Sequence, residues 1–435
     1  MRSNDPNPCG MKSAKIDGPA AGAMDVMKRG ATHHRPVYRI LMYTAYFDPE
    51  YSGAALQALT LARELRKRGH HIEFVTNRWG GLPEQGEVEG FPVWRVEPGR
   101  LRKHRELRLW YNLARLVWRR RQDFDILHSH GAYYTHAFIG PLGRLTGLKT
   151  LVKASLANDD LQDLDLPLIG WLHRLMLRRI DACVAISEDL AQEFRAGGID
   201  PARIRFLPNG VDTERFHPAV AEARPDLRAS LGLPAERPIV LYIGVLDERK
   251  NILWLAQQWV VQRGFGTGAL LVAVGPQSRE DPEGGLRGRL ERLSHDAPEL
   301  FHLRDYTPDI LPWYQCADVL VLPSLKEGLP NVVLEAMACG LPCVAARASG
   351  SRELIRQGET GFTYEHGQAE EMAAALKRCL GPEGRAMGEN ARRQVEARYS
   401  IRSIADRYED LYAQLLGMQA SARTARTRDD KESNT

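Results

Sequence analysis

The chain has 435 residues, which is long enough for two domains of ordinary size. Its hydrophobic fraction of 43% and charged fraction of 26% are typical of a globular protein, and its formal net charge of +4 is modest, so the distribution of charge matters more than its sum. The six cysteines are scattered and lack zinc spacing, which argues against a disulfide scaffold and predicts free thiols. The sequence shows no apolar signal-peptide core and no apolar run of membrane length, which argues against a secreted protein and a membrane span. Together these features predict a cytoplasmic protein.

The first part of the chain alternates apolar strands with amphipathic helices. Residues 1–35 lack periodicity and are predicted to be an extension without regular structure, and a first domain is predicted over 36–217. Its predicted strands are 38–43, 71–76, 92–96, 126–129, 150–152, 182–186 and 204–207, and its first helix is 54–68. Strand, helix and strand in succession form a βαβ unit, which predicts a parallel sheet.

A second alternating set follows a polar, proline-containing linker at 218–237. The second domain is predicted over 218–399, with strands at 239–243, 270–274, 301–303, 319–322 and 343–346. A C-terminal helix is predicted within 400–418, followed by a disordered tail at 419–435. The chain is therefore expected to be an α/β protein with two doubly wound parallel sheets.

The stretch 324–346, SLKEGLPNVVLEAMACGLPCVAA, follows the buried strand 319–322. Gly328 and Pro330 bend the chain, and Asn331 is predicted to cap the helix that carries Glu335. The backbone N–H groups of about 329–332 would then be unpaired at the positive end of the helix dipole, which suits a diphosphate. Glu335 would accept hydrogen bonds from a ribose diol, and Glu327 would face the group attached to the diphosphate. These features together predict a sugar-nucleotide site.

This stretch resembles the E-x7-E signature of retaining glycosyltransferases with the GT-B fold, in glycosyltransferase family 4 or group 1. The segments 207–216 and 359–362 also resemble parts of that family. The resemblance implies two Rossmann-like domains that face each other across a cleft. The first domain would lie on the acceptor side, the second would bind the donor, and the C-terminal helix would cross back to the first domain. It also implies a nucleoside-diphosphate sugar as co-substrate and no metal or other cofactor. The alternative is an ordinary strand, loop and helix with surface glutamates.

In the loop after the strand 239–243, the resemblance implies two cations that neutralise the donor diphosphate. Lys250 matches the expected lysine, Val245 stands where the family has an arginine, and Arg249 is predicted to supply that charge. The alternative is that Arg249 and Lys250 are solvated.

Gly53 resembles part of a glycine-rich loop and is predicted to let the backbone approach the donor, although Ser52 precedes it where the family has a second glycine. The donor site is thus predicted to comprise Gly53, Arg249, Lys250, Gly328, Leu329, Pro330, Asn331 and Glu335.

The strand that ends in His130 is predicted to contribute to catalysis together with Glu327. Ligands bind at the carboxyl ends of strands in open parallel sheets, and the resemblance places such a histidine against the donor sugar. His128 lies deeper on the same side of the strand and is predicted to be structural. Lys153 follows the next strand and is either directed to the cleft or an ordinary exposed lysine. Asp159 and Asp160 are predicted to lie in a solvated loop rather than in a metal site.

Residues 100–121 form the strongest charge feature, because arginines surround an apolar stripe that includes Trp110. A basic amphipathic helix of this kind suits an anionic membrane surface, whereas the alternative is a helix with a solvated basic face. Nucleic-acid binding is the weaker interpretation.

The predicted sugar-nucleotide site indicates an enzyme that transfers a sugar to an acceptor hydroxyl. The acceptor is expected to be a saccharide or a lipid-linked molecule of the cell envelope, and the protein is expected in the cytoplasm or at the inner face of the plasma membrane. The alternatives are a sugar-nucleotide-binding subunit without activity and an epimerase of the same fold.

Overall fold

The computed structural model describes residues 36–49, 52–99, 105–157, 159–278, 281 and 283–418. The described residues from Val37 onward form one compact unit. The predicted disordered segments 1–35 and 419–435 lie outside the described residues, as do residues 100–104 at the start of the basic segment.

The first sheet has eight strands in the order β3-β4-β2-β1-β5-β6-β7-β8. The strands are β1 (Arg39–Thr44), β2 (His71–Asn77), β3 (Gln85–Val88), β4 (Phe91–Val96), β5 (Ile126–His130), β6 (Lys149–Lys153), β7 (Ala182–Ala185) and β8 (Ile204–Phe206). The helices are α1 (Gly53–Lys67), α2 (Arg105–Arg119), α3 (Tyr134–Ala137), α4 (Ile139–Thr146), α5 (Pro167–Leu177) and α6 (Glu188–Ala196). Neighbouring strands are parallel except β3, which pairs antiparallel with β4.

Both faces of the first sheet are covered, so its strands are apolar on both sides. Leu41 and Tyr43 of β1 face the layer formed by α2, α4, α5 and α6, whereas Ile40 and Met42 face α1 and a helix from the end of the chain. The helix α1 begins after Ser52, whose side-chain oxygen accepts a hydrogen bond from the Ala55 N–H at 3.1 Å.

The second sheet has six parallel strands in the order β11-β10-β9-β12-β13-β14. The strands are β9 (Ile239–Ile243), β10 (Leu270–Val274), β11 (Phe301–Arg304), β12 (Val319–Leu322), β13 (Cys343–Ala346) and β14 (Gly361–Tyr364). The helices are α7 (Arg224–Ser230), α8 (Ile252–Val261), α9 (Gly285–Asp296), α10 (Leu311–Cys316), α11 (Asn331–Ala338), α12 (Ser349–Leu354), α13 (Ala369–Cys379) and α14 (Gly384–Arg398). The expected pair of doubly wound sheets is confirmed.

The last helix, α15 (Ile401–Leu415), lies against the first sheet on the side of α1. Ser400 caps its N-terminus, and the His128 ring lies 3.0 Å from the Tyr412 hydroxyl. The strands of the two sheets span residues 39–206 and 239–364, so the predicted boundary at 217/218 falls between them.

Two strands were not predicted from the sequence, and both are edge strands. The strand β3 is short, and three of its four residues are exposed, so it has no apolar run to reveal it. The strand β14 begins at Gly361, within the segment 359–362 that carries part of the resemblance, and it is held by pairing with β13. Pairing partners rather than local composition therefore define both strands.

Candidate active site

The turn between β12 and α11 carries the predicted donor loop. Pro330, not Asn331, occupies the N-cap position, and its carbonyl oxygen accepts from the N–H groups of Val333 at 3.2 Å and Leu334 at 3.3 Å. The prediction that Asn331 caps the helix is therefore wrong: Asn331 is the first helical residue. Proline is suited to this place because it has no N–H group to satisfy and its φ is restricted.

Three backbone donors at the start of α11 are open. The N–H groups of Leu329, Asn331 and Val332 donate no hydrogen bond to any residue that the structure describes. The helix dipole places positive charge at the same end. This geometry can bind an anion, as the sequence predicts, and the eight-residue helix is long enough to orient several N–H groups.

The side chain of Asn331 is directed to the first sheet's half of the molecule instead of capping its own helix. Its Nδ2 donates to the Gly53 carbonyl oxygen at 3.2 Å. Asn209, in the loop after β8, donates from Nδ2 to the Leu329 carbonyl oxygen at 3.0 Å and to Asn331 Oδ1 at 2.9 Å. Gly53 and Asn331, more than 270 residues apart and both predicted for the donor site, are thus brought into contact.

Gly328 lies where the two halves of the molecule are in close contact. A Cβ atom at this position would lie 2.0 Å from the Ser155 carbonyl oxygen and 3.2 Å from the Ile186 side chain. Only glycine allows the turn to approach the end of β6 in this way. The predicted donor loop therefore lies directly against the carboxyl edge of the first sheet, where ligands bind in open α/β sheets.

Glu335 lies in the second turn of α11 and is half-buried. The Tyr314 hydroxyl donates a hydrogen bond to Glu335 Oε2 at 2.7 Å. Burial raises the pKa of Glu335 to about 7, although the hydrogen bond from Tyr314 and the charge of Arg215 both oppose the rise. The carboxyl group is therefore poised to change its charge near neutral pH, and Tyr314 fixes its orientation.

Glu327 and Lys250 form an ion pair with 2.5 Å between Lys250 Nζ and Glu327 Oε1. Both side chains are mostly buried. Lys250 was predicted to neutralise the diphosphate and Glu327 to face the sugar, so the pair places these two predicted groups in contact. A carboxylate paired in this way is held in one orientation, and the lysine retains further N–H donors for another oxygen.

Arg249 also contacts this turn. Its Nη1 donates to the Lys326 carbonyl oxygen at 3.0 Å, and its Nη2 lies 3.6 Å from Asp247. The side chain is 36% exposed, so the remaining donors of its guanidinium are open to solvent. Val245, where the resemblance implies an arginine, is also exposed.

His130 is buried at the end of β5, stacked on His128 with 4.1 Å between the ring centroids. Neither ring nitrogen of His130 has a hydrogen-bond partner among the residues that the structure describes. Burial, together with the charges of His128 and Lys153, holds the pKa of His130 well below its usual range, so the imidazole is neutral. His128 contacts Tyr412 and Tyr408 and is packed as predicted for a structural histidine.

Two residues of the site were not identified from the sequence. Asn209 lies in the segment 207–216 that carries the resemblance, which was its only signal. Tyr314 lies in α10, one element before β12, and no local pattern distinguishes it from a core tyrosine.

Asp160 was expected to be solvated, but it is buried and accepts hydrogen bonds from the N–H groups of Ser155 and Ala132, so that prediction is wrong.

Two family models match the chain. "Glycosyltransferase Family 4" matches residues 51–215, and "Glycosyl transferases group 1" matches residues 237–381. The chain is 26% identical over 309 residues to UDP-Gal:alpha-D-GlcNAc-diphosphoundecaprenol alpha-1,3-galactosyltransferase of Escherichia coli, covering 68% of this chain and 77% of that protein. It is 26% identical over 387 residues to N-acetyl-alpha-D-glucosaminyl L-malate synthase of Bacillus anthracis, covering 85% and 95%.

Solved structures share the fold. Sucrose-phosphate synthase from Thermosynechococcus elongatus superposes with a TM-score of 0.73 at 23% identity, covering 87% of this chain and 99% of that chain. HepE of Anabaena, in complex with UDP and glucose, superposes with a TM-score of 0.70 at 19% identity, covering 87% and 100%. Two Rossmann-like sheets with this connection define the GT-B class. The chain belongs to the group 1, family 4 glycosyltransferases, and the predicted resemblance is confirmed.

No group of three or more His, Cys, Asp or Glu side chains in the described ranges is arranged to hold a metal ion. Within those same ranges, every helix is too short or too polar to span a bilayer.

Proposed function

We propose that this glycosyltransferase transfers a sugar from a nucleoside-diphosphate donor to an acceptor hydroxyl with retention of anomeric configuration, in the synthesis of cell-envelope polysaccharide or glycolipid. The observation that carries the proposal is the start of α11, where open N–H groups of Leu329, Asn331 and Val332 lie beside Gly53 and face the carboxyl edge of the first sheet. A diphosphate fits this position because its charge and oxygens match the helix N-terminus.

In this proposal the leaving diphosphate is stabilised as charge develops on it. Arg249 and Lys250 would bind its oxygens together with the N–H groups of α11. Glu335 would accept hydrogen bonds from the ribose diol, with Tyr314 fixing the carboxyl group. Glu327 would orient the sugar from one side and His130 from the other. No residue is assigned as a nucleophile, so the departing phosphate would assist attack by the acceptor on the same face.

A thermal-shift screen against UDP-, GDP-, ADP- and TDP-sugars tests donor binding. We expect stabilisation by one base and loss of that stabilisation in Glu335→Ala. The anomeric configuration of the product, read by NMR, tests retention, and an inverted product would exclude it.

We also propose that transfer needs no metal, because cationic side chains of the protein neutralise the charge of the diphosphate. The expected result is an unchanged transfer rate in excess EDTA.

For the acceptor, we propose a lipid-linked saccharide reached at the inner face of the plasma membrane. A relative's name specifies a diphosphoundecaprenol-linked acceptor. The helix α2 exposes Leu107, Tyr111 and Trp118 among its arginines, and α5, which packs like α2 against α4, exposes Leu168 and Trp171. Apolar side chains surrounded by cations suit the interface of an anionic bilayer.

Co-sedimentation with vesicles tests the membrane contact. We expect binding to vesicles that contain phosphatidylglycerol, weaker binding to neutral phosphatidylcholine vesicles, and weakened binding in Tyr111→Ser/Trp118→Ser. The matched control is Val261→Ser, which removes an exposed apolar side chain from α8 on the second domain. Equal binding by the wild type and the double variant would reject α2 as the contact.

A sugar-nucleotide-binding subunit without transferase activity is the second candidate. It is favoured by Val245, an exposed apolar residue where the resemblance implies an arginine, and by the pairing of Lys250 with Glu327. Donor hydrolysis by the purified chain distinguishes the two functions: hydrolysis supports the transferase, whereas donor binding without any hydrolysis or transfer supports the subunit.

A further inference from the structure

Four polar residues form a row across the carboxyl ends of adjacent strands in the first sheet. They are Thr76 on β2, Thr44 on β1, His130 on β5 and Lys153 on β6. Thr44 pairs with Thr76 and His130 pairs with Lys153 in the strand registers, and β1 and β5 are paired up to Tyr43 and Ser129, the residues just before Thr44 and His130. All four are on the face of the sheet that α1 and α15 cover, because side chains alternate along each strand.

The row is buried but has few internal partners. The exposed fractions are 0% for Thr76, 1% for Thr44, 3% for His130 and 4% for Lys153. Within the described part of the chain, the hydroxyls of Thr44 and Thr76 and both ring nitrogens of His130 have no hydrogen-bond partner. Buried polar groups are nearly always hydrogen-bonded in proteins, so several unpartnered groups in one row point to a ligand.

Lys153 is neither an exposed lysine nor part of an ion pair within the described ranges. Burial alone lowers its pKa to about 7, and no carboxylate counteracts the effect. Its charge lowers the pKa values of both His128 and His130, so the ammonium group lies on the side of these rings. Asp160 follows the same strand but accepts hydrogen bonds from Ser155 and Ala132 instead. A buried ammonium group without a counter-ion is costly unless an anion binds it.

The row also borders the donor loop. Ser155 lies two residues after Lys153, and its carbonyl oxygen would be 2.0 Å from a Cβ atom on Gly328. Gly53, at the start of α1, contacts Asn331 across the same boundary. A group held by Lys153 would therefore lie on the first-sheet side of the site, whereas Lys250 and the α11 N-terminus serve the diphosphate from the second.

We propose that Lys153, with His130 and Thr44, binds a carboxylate or phosphate group of the substrate other than the donor diphosphate. The inference rests on the proposed function and deepens it, because it makes the substrate acidic. Two sources share this chemistry: a uronic-acid carboxylate on the transferred sugar, or a phosphate or carboxylate on the acceptor. The row offers hydrogen-bond donors from one cationic side chain and three neutral ones, and none of its four residues is a carboxylate. Such a set of donors suits an anionic oxygen from either source.

The experiment compares Lys153→Met with Lys153→Arg, and uses Lys149→Met as the matched control because Lys149 starts the same strand away from the row. One arm measures by calorimetry the affinity for a nucleoside-diphosphate glucose and for the corresponding glucuronate, with the base that the donor screen selects. The other arm measures binding of malonate and of inorganic phosphate, with and without the free nucleoside diphosphate.

We expect the wild type either to prefer the glucuronate donor over the glucose donor in the first arm, or to bind malonate or phosphate with the nucleoside diphosphate present in the second; the arm that responds identifies the source. Lys153→Met should weaken binding of that acidic probe by roughly tenfold or more, whereas Lys153→Arg and Lys149→Met should retain it. Equal acidic-probe affinities in the wild type and Lys153→Met, or a wild type that responds in neither arm, would overturn the proposal. Affinity for the free nucleoside diphosphate should stay within about twofold in all variants; its absence in the wild type would reject the donor site instead.

Discussion

At the scale of single residues, the proposed role of Glu335 in donor binding depends on the ionisation of its carboxyl group. Its carboxyl group is enclosed between α11 and α10, and burial outweighs the hydrogen bond from Tyr314 in setting its pKa. A ribose diol offers O–H donors, which an ionised carboxylate accepts better than a protonated one. Donor affinity should therefore follow the charge of this one group.

The first prediction concerns pH. Because the pKa of Glu335 is about 7, the carboxylate predominates above that pH and is lost below it. We expect the donor dissociation constant to rise roughly tenfold between about pH 8 and about pH 6. Calorimetric titrations across this range measure the effect. In Glu335→Gln the profile should be flat, and an equally steep profile in that variant would assign the effect to another group.

The second prediction concerns Tyr314. Replacing it by phenylalanine removes the hydroxyl that favours the charged carboxylate, so the midpoint of the pH profile should move upward by about one pH unit or less. The same titrations measure the midpoint. Tyr364→Phe is the control, because the Tyr364 hydroxyl is buried in the second domain with no partner among the described residues. A midpoint that stays in place in Tyr314→Phe would contradict the role.

At the scale of elements, the donor loop depends on close backbone contacts that only glycine allows. Gly328 abuts the end of β6, and Gly350 in α12 abuts Gly328 in turn, since a Cβ on Gly350 would lie 2.0 Å from the Gly328 carbonyl oxygen. The start of α11 is thus enclosed from both sides. This packing holds its open N–H groups in place without a side-chain cap.

The third prediction is that Gly328→Ala lowers both stability and donor affinity. The added methyl group meets backbone rather than a movable side chain, so we expect a loss of about 1–3 kcal/mol in the free energy of unfolding. Urea denaturation measures the loss. Gly288→Ala in α9 is the control, where a Cβ meets only the far end of Arg292 at 3.9 Å, and it should stabilise the protein by up to about 1 kcal/mol. Wild-type stability and affinity in Gly328→Ala would show that the turn relaxes.

At the scale of the whole molecule, α15 returns the end of the chain to the first sheet. Arg68 contacts Asp406 and Glu409 at 2.8 Å and 2.7 Å, and the His70 ring lies 2.9 Å from Glu409. Burial opposes ionisation of Glu409, but the hydrogen bonds from His70 and Arg68 hold its pKa below the ordinary value. These contacts fasten α15 to the first sheet at the turn between α1 and β2.

The fourth prediction follows from that low pKa. A carboxyl group with a depressed pKa in the folded state stabilises the protein above its unfolded pKa and loses this contribution as pH falls. Glu409→Gln should therefore cost about 1–3 kcal/mol at pH 7, and the difference from the wild type should shrink toward about pH 4. Denaturation at both pH values measures it. Glu389→Gln, in an exposed pair with Arg385, should cost less than about 0.5 kcal/mol. A difference that grows on acidification would refute the assignment.

Much of the fold was predictable because its strands are apolar and its helices are amphipathic. Strands such as 239–243, 270–274 and 319–322 have the predicted bounds, since buried parallel strands are continuous apolar runs. The edge strands β3 and β14 were missed because pairing, not composition, defines them. Asn331 was assigned to the wrong cap position because local propensity favours asparagine there, whereas its side chain is used across the boundary between the halves.

By itself the sequence determined the class of fold and the family, and it predicted the segment of the donor loop, because periodicity and motif spacing are local properties of the chain. Only the tertiary structure decided that Lys153 and Asp160 are buried, that Lys250 pairs with Glu327, and that Asn209 and Tyr314 support the loop. Burial and pairing arise from contacts between residues far apart in the chain, and these contacts shift the pKa values of Glu335, His130 and Lys153 away from their ordinary values.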